Sequence, residues 1–164
     1  MLEIRTARRE DVGTILELIR GLAEYEHEPQ AAEATEEDLL RDGFGGSPKF
    51  HCVIAAWDGA DVGFALYFYN YSTWKGRPGI FLEDLFVWPE FRGKGIGKAL
   101  LLHVAKIAVA EKCGRYEWLV LDWNTPSIDF YKGLGAKQMT QWLPMRVEGP
   151  ALLELGEKAE NNRG

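Results

Sequence analysis

FLEDLFVWPEFRGKGIGKALLLHV, residues 81–104, decides the fold. It opens with apolar and aromatic residues around one acidic pair, Glu83-Asp84, and reads as the greater part of a strand over 80–87. Trp88-Pro89 stops that strand, because proline cannot donate to a ladder. Gly93, Gly95 and Gly97 follow, interleaved with Arg92, Lys94 and Lys98. Apolar residues then recur at helical spacing over 97–112, and Cys113-Gly114 marks the end of a helix. A basic, glycine-rich bend between a strand and a helix suits an anion, most often a phosphate. Glycine lets the main chain approach with no Cβ in the way, and the helix start offers N–H groups and positive potential.

Two common phosphate fingerprints fail on this bend. A P-loop needs Gly-x-x-x-x-Gly-Lys-Ser/Thr, but Arg92 stands at the first glycine and Ala99 at the hydroxyl that would hold magnesium. A dinucleotide loop needs Gly-x-Gly-x-x-Gly, and its last glycine falls on Lys98 or Leu100. The pattern that fits is Arg-x-x-Gly-x-Gly, at Arg92, Gly95 and Gly97.

Upstream, FHCVIAAW (50–57) and VGFALYFYNY (62–71) read as strands joined at the Asp58-Gly59 turn. Lys75–Gly79 forms the next turn. Residues 2–7 form a first strand, and Val12, Ile15, Leu16, Ile19, Leu22 and Ala23 give an amphipathic helix of about four turns. Residues 24–42 hold eight carboxylates and a single Arg, with a capping box at Thr35–Asp38 that starts a short helix through Leu40. Downstream, 116–123 is a strand. Asn124 or Thr125 caps a helix with Pro126 in its first turn, ending at Gly133 or Gly135. Segments 137–143 and 145–155 read as a closing hairpin. The expected order is β-α-α-β-β-β-α-β-α-β-β: one mixed α/β domain over 1–155, with a polar, frayed tail over 156–164.

The 164 residues carry a formal charge of −6, with 46% hydrophobic and 27% charged residues, as in ordinary globular proteins. That balance argues against a nucleic-acid partner, whose footprint would be basic, and is compatible with a cationic small substrate. No apolar run approaches the ~20 residues that span a bilayer, and the charged first residues do not read as a secretion signal, so no membrane partner is expected. Two cysteines, Cys52 and Cys113, read as buried or neutral thiols in a reducing cytoplasm. His27, His51 and His103 are far apart, with no ligand spacing, and no metal is expected.

RGKGIG after FLEDLFV resembles the acetyl-CoA loop of the GNAT N-acetyltransferases, and WNTPSIDFYKGLGA (123–136) resembles their later motif. LAEYE (22–26), DGFG (42–45), FHCVIA (50–55), YSTWKGR (71–77), FLED (81–84) and LDWN (121–124) resemble the diamine acetyltransferase branch, above all its thialysine-acetylating members. The resemblance implies a mixed, largely antiparallel sheet flanked by helices, with two central strands splayed, and acetyl-CoA as acetyl donor. It implies that main-chain groups of Leu85, Phe86 and Val87 pair with the pantetheine arm in the gap beside 116–123. Arg92, Gly93, Lys94, Gly95, Ile96, Gly97 and Lys98 would hold the pyrophosphate, with Asn124 and Ser127 contacting the cofactor from the later motif. Glu83 would accept the amine's proton, directly or through water, and Tyr131, also a cofactor contact, would protonate the leaving thiolate. Tyr25, Glu26, Glu83 and Trp74 would contact the substrate, and a homodimer is expected.

Two further readings come from the residues themselves. Asp84 should face away from Glu83, because strand side chains alternate, unless the strand is bulged. Phe130 reads as the core residue beside Tyr131. The spermidine-type branch has an acid two residues after the tyrosine of Tyr71-Ser72-Thr73-Trp74, and this chain has none. That favours a lysine-like amine or short diamine over long polyamines. A peptide amine and a non-enzymatic coenzyme-binding role are the alternatives.

Overall fold

The computed structural model describes residues 1–161 of the 164. They fall into two compact units, residues 1–121 and the residues from Asp122 on. In chain order the first unit contains β1 (Leu2–Thr6), α1 (Val12–Tyr25), α2 (Glu36–Phe44), β2 (His51–Trp57), β3 (Ala60–Ser72), β4 (Arg77–Val87), α3 (Ile96–Ala110) and β5 (Arg115–Trp118). The strands form one sheet in the order β1-β2-β3-β4-β5. The first three pairings are antiparallel and the last is parallel. A parallel pair cannot be closed by a tight turn, and α3 supplies the crossover. Between β2 and β3, Asp58 and Gly59 both take positive φ, 49° and 86°, the backbone of a two-residue hairpin turn. The sheet is therefore mixed and largely antiparallel, with helices beside it, as the sequence predicts.

One helix group and one sheet face form the main core. Ile15, Leu16 and Leu18 of α1 and Leu39 of α2 cluster with Cys52, Ile54, Phe64, Leu66 and Phe86. The capping box that starts α2 is formed: Asp38 N–H donates to Thr35 Oγ1 at 3.2 Å, and Thr35 N–H to Asp38 Oδ2 at 2.9 Å. The helix runs on to Phe44, one turn past its expected end. α3 buries Ile96, Leu100, Leu101, Val104 and Ala108. It seats close to Gly63, where a Cβ would lie 2.8 Å from the Phe86 carbonyl oxygen and 3.4 Å from Leu100 Cδ1. On α1, a Cβ at Gly21 would come within 2.5 Å of the Trp88 ring. That contact presses the last turns of α1 onto the end of β4.

Three expectations need correction. The strand predicted over 116–123 is only Arg115–Trp118. The hairpin predicted over 137–155 is absent: residues 137–148 form no strand, and Gly149–Asn161 is a helix. The second unit thus holds α4 (Thr125–Gly133) and α5 (Gly149–Asn161). Pro150 would remove a ladder donor from the second supposed strand but suits the first turn of α5, where it sits, and Ala151, Leu152, Leu153 and Glu154 are strong helix formers. Residues 156–161, read as frayed tail, continue that helix, and 162–164 lie outside the described residues.

Candidate active site

A short 3-10 turn, Pro89–Phe91, leads from β4 into the glycine bend. Gly93 and Gly95 adopt left-handed φ of 79° and 77°, where side chains with a Cβ are strained. A Cβ at either would have no atom within 4 Å. These glycines therefore serve the path of the main chain and leave space beside it. Gly95 is the N-cap of α3, and no side chain caps that end. Gly97 is half-buried, while Lys94 and Lys98 are exposed. An open start to a long helix, flanked by two lysines and a hollow over two glycines, fits a phosphate group. Ile96, also assigned to the cofactor, is buried and contributes to the core under the bend.

Arg92 is built differently from the rest of the bend. Its Nε donates to the Val87 carbonyl oxygen at 3.1 Å. Its guanidinium carbon stands 4.6 Å from the centre of the Tyr25 ring and 5.5 Å from that of Phe86. The side chain spans from the end of α1 to the end of β4.

The β4–β5 ladder stops at Leu82↔Trp118. From Asp84 to Val87, β4 is paired with β3, and from Glu83 on it is paired with no residue of β5. Leu85, Phe86 and Val87, the residues assigned to the pantetheine arm, all lie on this stretch.

A bulge sits at its start. Leu66 pairs with Asp84 and Tyr67 with Leu82, so Glu83 is the extra residue. The bulge breaks the alternation on which Asp84 was expected to face away from Glu83. Asp84 and Glu26, which caps the C-terminus of α1, both feel the Glu83 charge. Burial, then the Glu83 and Glu26 charges, push Asp84 up to about 7. Burial, then Glu83, raise Glu26 above the ordinary carboxylate range. Glu83 is exposed, whereas Glu26 and Asp84 are half-buried. Burial and the Asp84 charge also raise the Cys52 thiol, which keeps it an unreactive core group. Asp84 was not among the candidates. Its signal was the rarity of two consecutive acids inside an apolar strand.

Trp74 is not brought to this cluster within the unit. It is 91% exposed in the turn before β4. Arg77, at the near end of β4, is six strand positions from Glu83, roughly 20 Å at ~3.3 Å per residue.

In the second unit, Asn124 is buried and caps α4, with Ser127 N–H donating to its Oδ1 at 3.4 Å. Tyr131 lies seven residues on, about two turns along α4, and is half-buried. Phe130, expected as the core residue of the pair, is the more exposed. Among the described residues no cluster of His, Cys, Asp and Glu is placed to hold a metal, and no helix is long and apolar enough to cross a membrane.

A strand edge without a partner, a carboxylate cluster at its head and an open helix start beyond its other end can hold an anionic acyl carrier and a cationic amine. Known proteins resemble this chain in sequence and fold. The Acetyltransferase (GNAT) family matches residues 13–136. The thialysine N-epsilon-acetyltransferase of Bos taurus is 45% identical over 94% of this chain and 97% of its own. The spermidine/spermine N(1)-acetyltransferase-like protein 1 of Homo sapiens is 37% identical over 93% of this chain but only 23% of its own length. Among solved structures, an integron cassette protein from the V. cholerae mobile metagenome aligns with a TM-score of 0.76 at 29% identity, over 95% of this chain and 98% of that one. The family match covers the bulged strand, the glycine bend and the Asn124 helix together, and the chain belongs to the acetyltransferase (GNAT) family as an N-acetyltransferase.

Proposed function

We propose that this N-acetyltransferase moves an acetyl group from acetyl-CoA to the primary amine of a small cationic substrate, a thialysine- or lysine-like amine or a short diamine, by direct attack in a ternary complex. The observation that carries the reading is the Glu26–Glu83–Asp84 cluster at the head of the unpaired half of β4. The bovine relative's substrate and the missing acid after Tyr71 favour a lysine-like amine over a long polyamine.

Acetyl-CoA supplies the acetyl group as an activated thioester. The open start of α3, with Lys94 and Lys98, holds the pyrophosphate. Main-chain groups of Leu85, Phe86 and Val87 align the pantetheine arm, and an N–H near Leu85 polarises the thioester carbonyl, an interaction worth roughly 3–4 kcal/mol as charge develops there. A lysine-like amine has a pKa near 10.4, so only about one molecule in ~2,500 is neutral at pH 7. Glu26, Glu83 and Asp84 draw in the ammonium. Glu83, exposed beside the edge, accepts its proton directly or through water, and Asp84, poised near neutrality, sustains that acceptance. Tyr131 returns a proton to the leaving thiolate, with Asn124 and Ser127 at the cofactor. A homodimer and a cytoplasmic setting complete the proposal.

Thiol release from acetyl-CoA tests it across thialysine, lysine, short diamines, spermidine, spermine and a basic peptide. The expected order places thialysine and lysine-like amines first. Preference for the peptide overturns the substrate class. Coenzyme binding with no thiol release on any amine overturns catalysis.

A further inference from the structure

We infer that Arg92 is a positioning residue that couples the amine site to the cofactor edge, so that binding of either ligand strengthens the other. The inference rests on the acetyltransferase reading and adds a property that the fold alone does not require. One side chain makes three contacts on two different structures. Its Nε–H is bonded to the last carbonyl of β4, at Val87, on the stretch that takes the pantetheine arm. Its face lies over Tyr25, next to Glu26 at the end of α1. It also approaches Phe86, which is buried at the junction of α1 and β4. Arg92 itself opens the glycine bend.

The physical argument follows from those contacts. A guanidinium over an aromatic face at an exposed position is a weak contact, and its bond to a carbonyl is charge-assisted. The contacts meet in one side chain, so ordering either partner of Arg92 bears on the other. A substrate that orders Tyr25 and Glu26 fixes the platform under the guanidinium. The guanidinium then fixes the Val87 peptide and the start of the bend, where the coenzyme must be met. Linkage makes the effect reciprocal: a cofactor that orders Val87 and the bend fixes Arg92 over Tyr25, and the amine meets a preformed ring. The Gly21–Trp88 contact supplies the rigid backing, because α1 cannot drift from the end of β4 without opening that packing.

Titration calorimetry of coenzyme A, with and without saturating thialysine, tests the coupling in the full chain. For the unaltered protein the amine is expected to tighten coenzyme A by about fivefold or more, the low end of ordinary site–site coupling. In Arg92→Ala the enhancement should fall below about twofold, again at amine saturation for that variant. Tyr25→Leu should lose as much, Tyr25→Phe should keep the enhancement because the ring remains, and the Arg92→Ala, Tyr25→Leu double variant should lose no more than either single. Arg92 is on the surface, and circular dichroism of each variant separates coupling from folding. Full enhancement in Arg92→Ala, or loss in Tyr25→Phe equal to that in Tyr25→Leu, overturns the proposal. Coenzyme A binding that ignores the amine in the unaltered protein overturns it too, while leaving the acetyltransferase reading intact. Failure of the unaltered protein to bind coenzyme A at all sinks that reading, and the coupling with it.

Discussion

The two halves of β4 are continuous in sequence and opposite in construction. In the first half, Gly79–Leu82 lies between β3 and β5, and Gly79, Ile80 and Leu82 are buried. Packing there leaves no room: a Cβ on Gly79 would fall 2.5 Å from Asn70 Oδ1 and 3.0 Å from Arg115 Cγ. Glu83–Val87 has a strand on one side only, begins with a bulge and carries two acids. The first half uses its main-chain groups on both sides to hold the sheet together. The second has no strand on one side and places charge where charge is costly to bury. Scaffold and site are thus separated by one inserted residue.

The sharpest way to break that contrast is Glu83→Gln. Removing the proton acceptor should lower kcat/KM by about 10²–10³ at pH 7, with the deficit shrinking as the pH approaches the amine's own pKa and the substrate sheds its proton unaided. The melting temperature should stay within about 1 °C, because the side chain is exposed. A pH-independent loss would assign Glu83 to positioning. In the scaffold half the pattern should invert. Ile80→Ala, at a fully buried site, should cost about 2–5 kcal/mol of stability with kcat per folded molecule nearly unchanged. A catalytic collapse in that folded variant would erase the distinction between the halves.

Asp84→Asn sharpens the boundary with the smallest effect. Asp84 has a folded pKa near 7, above its unfolded value. Between those two values the folded protein binds more protons, so the Asp84 contribution to stability is present near pH 4, falls as pH rises and is gone above about 7, where the rest of the fold must carry the buried charge. The amide variant should therefore melt about 3–5 °C higher at pH 8.5, show little difference near pH 4, and turn over more slowly. Equal melting shifts at both pH values would show that burial of the Asp84 charge is not the cause.

Much of this was legible because it is local. Proline after a strand, glycines before an apolar period and Thr35 three residues ahead of Asp38 each act on near neighbours, and each feature forms where the residues place it. The bulge was not legible, since Glu83 becomes the extra residue only through the pairing of β3 with β4. The contacts of Arg92 with Tyr25 and Val87 likewise need α1 pressed to the end of β4, a long-range result of Gly21. Strand 116–123 was overextended because Leu119, Val120 and Leu121 look like ladder residues, yet the pairing ends at Trp118. At the C-terminus, segments 137–143 and 145–155 suggested a hairpin, but Pro150 withholds a donor from the second of them and suits the first turn of a helix. Site residues in the second unit were legible only as a motif: Asn124 as a cap that the structure forms, and Tyr131 as a spacing.

The half-bare edge of β4 has a consequence for the protein in a crowded solution. An unpaired strand invites any extended polypeptide to zip onto it, the usual start of edge-to-edge clumping. Here the inserted residue kinks the template at its entrance, and side-by-side acids repel the acidic surface of another copy. The same construction that leaves this edge without a strand partner makes it a poor template for an adjoining strand.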